Sequence, residues 1–215
     1  MKAIASMSLI ISFSLSLMGC GASKAKESIM TEQEKKGLSA ALANLESVLD
    51  EKSPFISKKL SGAASEKDIV ALRKELGGIE IQCLENWYCW HNGCTDKLTD
   101  IIPLGRMLSI SESLEDRAMT QKIPFVDSKR KNAIKILDDG AGDGFFMDIS
   151  IPRPRIFYHM LEDPFPRDYG TLEDFVVFIK EVHASGIAAV QTNGMVNFDL
   201  DKYHIIESKY LDSLK

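Results

Sequence analysis

The chain has 215 residues, of which 45% are hydrophobic and 27% are charged, and this composition suits one globular body with additions, not a fibre or a disordered chain. The formal net charge of −5 offers no long-range attraction for phosphate backbones, and no long block of Lys or Arg interrupts the acidic balance. We therefore expect no nucleic-acid partner.

Residues 1–19 predict a lipoprotein signal peptide. Lys2 is the only charged residue there, and residues 3–18 are apolar with interspersed serines but short for a membrane-spanning helix. The sequence Leu17-Met18-Gly19-Cys20 resembles a bacterial lipobox, which implies cleavage before Cys20 and acylation of its thiol. An uncleaved anchor helix with an incidental cysteine is the alternative. Either arrangement places the body in the cell envelope, on the non-cytoplasmic side of a bacterial membrane, with residues 20–30 as the lipidated cysteine and a flexible tether.

Helices are predicted in the first half of the body. Apolar residues recur there at three- and four-residue spacing, beside start signals of the capping-box type and stop signals containing Gly or Pro. The predicted helices run from Thr31 to Pro54, from Ser65 to Gly77-Gly78, from Leu84 to Asn92-Gly93, and over residues 108–117. Residues 101–104 predict a short edge strand, because Pro103 cannot donate to a ladder. Residues 127–131 are charged and predict a solvated loop.

Residues 135–149 predict a β-hairpin around which the fold is organised. Two apolar runs flank a turn rich in Gly and Asp, and Phe145, Met147 and Ile149 alternate onto one face of the second strand. The turn does not fit the calcium-binding EF-hand register, because the third position counted from Asp139 is Ala141 and the twelfth is Ser150. We therefore predict a structural turn.

The C-terminal part predicts further strands and one strong helix. A strand over residues 156–160 follows Pro152 and Pro154, and a proline-rich loop over residues 162–170 comes next. A capping box at Thr171 begins a helix that ends near Gly186. Residues 187–190 and 195–198 predict a second hairpin, and a charged tail completes the chain. The order of elements predicts an α+β fold, with N-terminal helices on a mixed, largely antiparallel sheet and a late C-terminal helix.

Several short motifs, in this order, resemble the SUKH superfamily, whose members carry an SMI/KNR-like domain. The similarity runs over residues 38–182. It rests on Pro54, Gly62-Ala63-Ala64-Ser65-Glu66 with Ile69, Trp87-Tyr88-Cys89-Trp90-His91-Asn92-Gly93, Leu108-Ser109, Ile123-Pro124-Phe125, Asp139-Gly140-Ala141-Gly142-Asp143 and Gly170-Thr171. The chain departs from the family where Leu84 is followed by Glu85 instead of proline.

The resemblance implies a SUKH-like α+β domain over residues 31–185, followed by a C-terminal extension over residues 186–215. It also implies a non-catalytic role in binding another protein. Bacterial members are associated with immunity to polymorphic toxins, and fungal relatives with regulation of cell-wall synthesis. We therefore expect a protein partner, either a toxin or an envelope protein, and no cofactor.

The second hypothesis is a thiol- or metal-dependent enzyme of the cell envelope. Its candidate residues are Cys83, Cys89, His91 and Cys94, but their spacing lacks the C-x-x-C pair of zinc sites and no nucleophile–base signature accompanies them. We expect His91 to cap the end of its helix. An oxidising compartment permits one disulfide, Cys89–Cys94 or Cys83–Cys94, and the sequence leaves this choice open.

Candidate binding residues lie in the loops on either side of the strand at residues 156–160. Arginines and aromatic residues are the types enriched at protein interfaces, and this region contains several. They are Arg153, Arg155, Phe165, Arg167 and Tyr169.

Overall fold

The computed structural model describes residues 32–123, 128–160, 165–191 and 195–215. The predicted signal peptide, Cys20, the tether, Thr31, residues 124–127, residues 161–164 and the predicted turn at residues 192–194 lie outside these ranges, so the predictions made for them are not addressed by the fold. The described elements, in order, are α1 Glu32–Lys52, α2 Pro54–Ser57, α3 Glu66–Glu75, α4 Gln82–Trp90, β1 Arg106–Met107, α5 Ile110–Lys122, α6 Ser128–Lys131, β2 Ala133–Asp138, β3 Gly144–Asp148, β4 Arg155–His159, β5 Arg167–Thr171, α7 Leu172–Ala184, β6 Ala188–Val190, β7 Val196–Phe198 and α8 Leu200–Ser213.

The main sheet has the strand order β1-β2-β3-β4-β5, and each neighbouring pair is antiparallel. The predicted α+β fold is therefore confirmed, with the sheet antiparallel at every pairing described. The central hairpin is confirmed as β2 and β3, which pair Ile134 with Met147 and contain a bulge between Lys135 and Leu137. Strands β6 and β7 form a separate antiparallel pair, which confirms the second predicted hairpin.

One face of the sheet supports the main hydrophobic core. Phe145 and Met147 point into it, as their alternation predicts, together with the buried Trp87 of α4. The Phe145 ring lies 5.0 Å from the Phe175 ring of α7, and α1 packs along α7 over this layer. Within the described residues, no helix has the length and the apolar composition needed to cross a membrane.

The opposite face of the sheet carries a small aromatic cluster covered by cations. Phe146 and Phe157 stack with ring centroids 5.6 Å apart, and the guanidinium of Arg130 lies 5.0 Å from the Phe146 ring. Residues 127–131 were expected to form a solvated loop, and this prediction is wrong for the described part. Residues 128–131 form helix α6, and Arg130 is buried because the aromatic face attracts its guanidinium.

Local side-chain signals set the starts of three helices. Ser65 with Asp68, Ser109 with Glu112, and Thr171 with Asp174 each form a reciprocal capping box at the start of α3, α5 and α7. The predicted stop after α4 is also present. Gly93 adopts a φ of 85°, and a Cβ added there would lie 2.6 Å from the backbone nitrogen of Ser109.

Three predicted elements differ from the structure. Residues 101–104 form a turn with a single bridge from Ile102 to Gly105, and the strand begins only at Arg106, because Leu104 has a φ of 61°. The predicted loop over residues 162–170 contains most of strand β5, which begins at Arg167 and pairs with β4. The expected charged tail is helix α8, capped by Asp199 and packed on the core through Tyr203 and Tyr210.

Candidate functional site

A proline segment, residues 152–154, borders two surface clefts. The first, called the α1–α7 cleft, has a volume of about 250 Å3. It is lined by Glu34, Leu38, Cys83, Pro152, Arg153, Pro154, Thr171, Leu172, Glu173 and Asp174. The second, called the isoleucine cleft, has a volume of about 230 Å3. It is lined by Ile79, Ile81, Ile149, Ser150, Ile151, Pro152 and Pro154.

The α1–α7 cleft forms where two helices approach each other at a glycine. A Cβ added at Gly37 would lie 2.6 Å from Oε1 of Glu173, so the absence of a side chain at this position leaves room for that carboxylate. The capping box at the start of α7 fixes the opposite wall, because the Thr171 hydroxyl donates to Oδ2 of Asp174 at 2.7 Å. The cleft is therefore bordered by carboxylates held in place by the two helices.

The charges in this cleft are unevenly matched. Arg153 donates to Glu34 at 2.5 Å, and Asp174 accepts hydrogen bonds within its own capping box. Glu173 forms no hydrogen bond or ion pair with any residue in the part of the chain that the structure describes. Burial, together with the negative charges of Asp174 and Glu34, raises the pKa of Glu173. Among the residues that the structure describes, Glu173 is therefore a partly buried carboxylate of this cleft without a cationic partner.

The isoleucine cleft is apolar and lies beyond the end of β3. Asp148 ends this strand by accepting hydrogen bonds from the backbone and hydroxyl of Ser150, at 2.9 Å and 2.6 Å. This turn directs the chain into the proline segment and leaves Ile151 37% exposed beside the cleft. The cleft offers an apolar surface next to the charged one.

The structure separates the five predicted binding residues. Arg153 is 78% exposed in its side chain and lines the α1–α7 cleft, whereas Arg155 lies on β4 and pairs with Asp168 at 2.9 Å. Phe165 is 79% exposed, and Arg167 lies on β5 at 3.5 Å from Glu207. Of the five, only Arg153 lines either of the two clefts described.

The prediction that Tyr169 is an exposed binding residue is wrong. Its side chain is 1% exposed and lies 5.1 Å from the Phe145 ring, because β5 alternation points position 169 into the core. The Tyr169 hydroxyl donates to Glu207 of α8, and burial raises the pKa of Tyr169. Tyr169 therefore anchors α8 to the sheet.

The three cysteines of the body are unpaired, so neither candidate disulfide is formed. Cys83 is buried with its sulfur 3.9 Å from Met147, and burial raises the pKa of its thiol to about 12. Cys94 donates to the carbonyl of Thr99, and burial raises its pKa to about 11. Cys89 is exposed on α4. The thiolate, which is the reactive form, is therefore disfavoured at Cys83 and Cys94.

The histidines make structural contacts. His91 is the C-cap residue of α4, as expected, and its backbone N–H donates to the carbonyl of Trp87. Its ring bonds the carbonyl of Ser61 and lies 2.9 Å from Glu46, so the side chain also joins α4 to α1 and a loop. His183 is fully buried between Ser53 and the carbonyl of Ile101. In the described ranges, no three His, Cys, Asp or Glu side chains gather as metal ligands would.

The residues of the two clefts other than Arg153 were missed by the sequence analysis. Glu34 and Glu173 look like ordinary polar positions on amphipathic helices, and Ile79 and Ile81 look like core residues. The available signal was Gly37, because an isolated glycine inside a helical pattern often marks a close approach of another group. No protein-family model matches the chain, and no curated protein matches it.

Proposed function

We propose that this chain is a lipid-anchored, non-catalytic protein-binding module of the SUKH class, held in the cell envelope through Cys20. Its partner would be a toxin that it neutralises or an envelope protein that it regulates. The observation that carries the proposal is the pair of adjacent clefts beside the proline segment, with Arg153 and Ile151 exposed between them.

The chemistry of this surface suits a protein partner. Protein interfaces combine an apolar centre with arginine and a polar rim, and the isoleucine cleft, Arg153 and the acidic α1–α7 cleft supply these parts side by side. Pro152 and Pro154 fix two backbone φ angles of the segment between the clefts. Little conformational entropy is then lost when a partner orders this segment.

Two further observations support binding over turnover. The raised pKa values of Cys83 and Cys94 disfavour the thiolates that a thiol enzyme needs. The sequence resemblance to the SUKH superfamily supports the same role. The envelope enzyme remains the competing hypothesis, and Cys89, the exposed cysteine of the body, is the residue on which it would depend.

Affinity capture from the native cells tests the proposal. The bait is the mature chain, compared with an Arg153→Ala/Ile151→Ser variant and with a matched control, Lys122→Ala/Met119→Ser, whose residues are exposed on α5. We expect at least one protein to be retained by the native and control baits and lost with the cleft variant. Identical protein sets from all three baits would contradict the proposed surface. A catalytic activity that disappears in Cys89→Ser, while capture is unchanged, would establish the enzyme instead.

A further inference from the structure

We propose that the α1–α7 cleft binds an arginine side chain presented by a basic segment of the partner protein, with the Glu173 carboxylate as its acceptor. This inference rests on the proposed binding function and specifies the chemistry of the partner. It follows from the charges of the cleft, from the residues that form its walls, and from the position of Arg153 at its edge.

The charges of the cleft leave one acceptor available. Three carboxylates line it, and Asp174 is engaged in its capping box while Glu34 accepts from Arg153. Glu173 has neither a hydrogen bond nor an ion pair with the described residues, and its carboxylate lies against Gly37 of α1. A guanidinium delivered from outside would supply two parallel donors to this carboxylate. The raised pKa of Glu173 agrees with this, because a nearby cation would stabilise its charged form.

The walls of the cleft suit the aliphatic part of the same side chain. Leu38, Leu172 and the two prolines of the proline segment provide apolar contacts along the path to Glu173. Arginine buries its methylene groups against such surfaces while its charged end reaches polar atoms. The volume of about 250 Å3 is below the usual range of small-molecule pockets, which favours a single side chain over a cofactor.

Arg153 shows that a guanidinium already fits at this site. It lines the cleft from the proline segment and contacts Glu34, but its side chain is 78% exposed, so water screens the ion pair. An incoming arginine therefore has to displace only a weak internal contact, or it can bind beside Arg153 at Glu173. An anionic lipid surface is the less suitable occupant, since the carboxylates of the cleft would repel it.

A blocked arginine, N-acetyl-L-arginine methylamide, tests the inference on the mature chain by heteronuclear NMR. We expect saturable shifts at Gly37, Leu38 and Leu172 with a dissociation constant in the millimolar range, weaker at higher salt, and a decrease in the pKa of Glu173. Blocked citrulline, which has the same shape without the charge, should produce none of these changes. The Glu173→Gln variant should weaken binding by roughly tenfold or more, whereas Glu181→Gln, on the exposed side of α7, should leave it unchanged.

The inference is wrong if the arginine probe produces no shifts in the cleft, if citrulline binds equally well, or if Glu173→Gln binds as the native chain does. Melting curves of both variants check that the fold is intact. The result is separable from the proposed function. If capture is lost in Arg153→Ala/Ile151→Ser but retained in Glu173→Gln, the chain is a binding module without the arginine site. If the arginine probe binds at Glu173 but no protein is captured, the arginine site stands and the binding module is rejected.

Discussion

The ammonium group of Lys135 lies 2.9 Å from the carboxylate of Asp116, although the Lys135 side chain is only 2% exposed. The same ammonium lies 2.9 Å from Asp138 and donates to the carbonyl of Gly142 at 3.2 Å. Lys135 therefore joins α5, strand β2 and the turn of the central hairpin. Its buried charge is compensated by two carboxylates.

Replacing Lys135 with Met should lower the free energy of unfolding by about 3 kcal/mol, because two partly buried carboxylates lose their partner. Urea denaturation followed by circular dichroism measures this change. The matched control is Lys122→Met, an exposed lysine at the end of α5, which should change stability by less than about 0.5 kcal/mol. Equal losses in the two variants would show that the Lys135 ion pairs contribute nothing specific.

The parts of the fold that were predicted correctly have local causes. A capping box at Thr171 involves residues three positions apart, and the hairpin of β2 and β3 combines a Gly–Asp turn with strict alternation. The parts that were missed depend on distant partners. Tyr169 is buried because its ring packs against Phe145 and its hydroxyl donates to Glu207, and Glu207 lies 38 residues further along the chain. Without α8 in place, an aromatic residue after a proline-rich stretch has the pattern of a surface loop.

One residue of the candidate site was predicted from the sequence. Arg153 was predicted as an exposed binding residue and lies at the edge of a cleft. The cleft itself depends on the approach of α1 to α7, which brings Glu34 near Glu173 although most of the chain separates them in sequence. Periodicity shows which face of each helix is apolar, but it does not show which two helices meet. The close contact at Gly37 therefore had no signal beyond the glycine itself.

Acidification should affect the stability of this fold in two opposite ways. Burial lowers the pKa of His183 to about 4 from an ordinary 6.5, so the unfolded chain binds the proton first and stability is lost as the pH falls from 6.5 to 4. The stability lost through His183 amounts to about 3 kcal/mol. Burial raises the pKa of Asp100 to about 6 from 3.8, so the folded chain binds that proton first and stability is gained as the pH falls through 6. Partial exposure of Asp100 limits this gain to about 1–2 kcal/mol.

The two contributions can be separated by mutation. Asp100→Asn should raise stability at pH 7 by about 1–2 kcal/mol. It should also make the decline of stability between pH 6.5 and 4 steeper, because the loss through His183 is then no longer offset by the gain through Asp100. His183→Gln should remove the decline in that window, although it costs stability at neutral pH. An unchanged decline in His183→Gln would assign the acid sensitivity to another group.

Truncation of two phenylalanines should change stability by very different amounts. Phe145 is fully buried and its ring lies within 5.1 Å of the rings of Tyr158, Tyr169 and Phe175, so Phe145→Ala should cost about 3–5 kcal/mol through the cavity it leaves. Phe165 is 79% exposed, and Phe165→Ala should change stability by less than about 0.5 kcal/mol. Thermal or urea unfolding distinguishes them. A large loss for Phe165→Ala would remove it from the set of residues available to a partner.

The last prediction concerns the membrane anchor. If Leu17-Met18-Gly19-Cys20 is processed as a lipobox, the mature chain begins at an acylated Cys20 and fractionates with membranes. Cys20→Ala should release the protein into the soluble fraction, because acyl chains supply the apolar area that holds a lipoprotein at the bilayer. Cys89→Ala removes an exposed thiol of the body instead and should leave fractionation unchanged. Intact mass of the native protein should show loss of residues 1–19 together with added acyl groups. A Cys20→Ala protein that remains with the membranes, alongside native protein whose Cys20 is unmodified, would indicate the uncleaved anchor helix in place of the lipid.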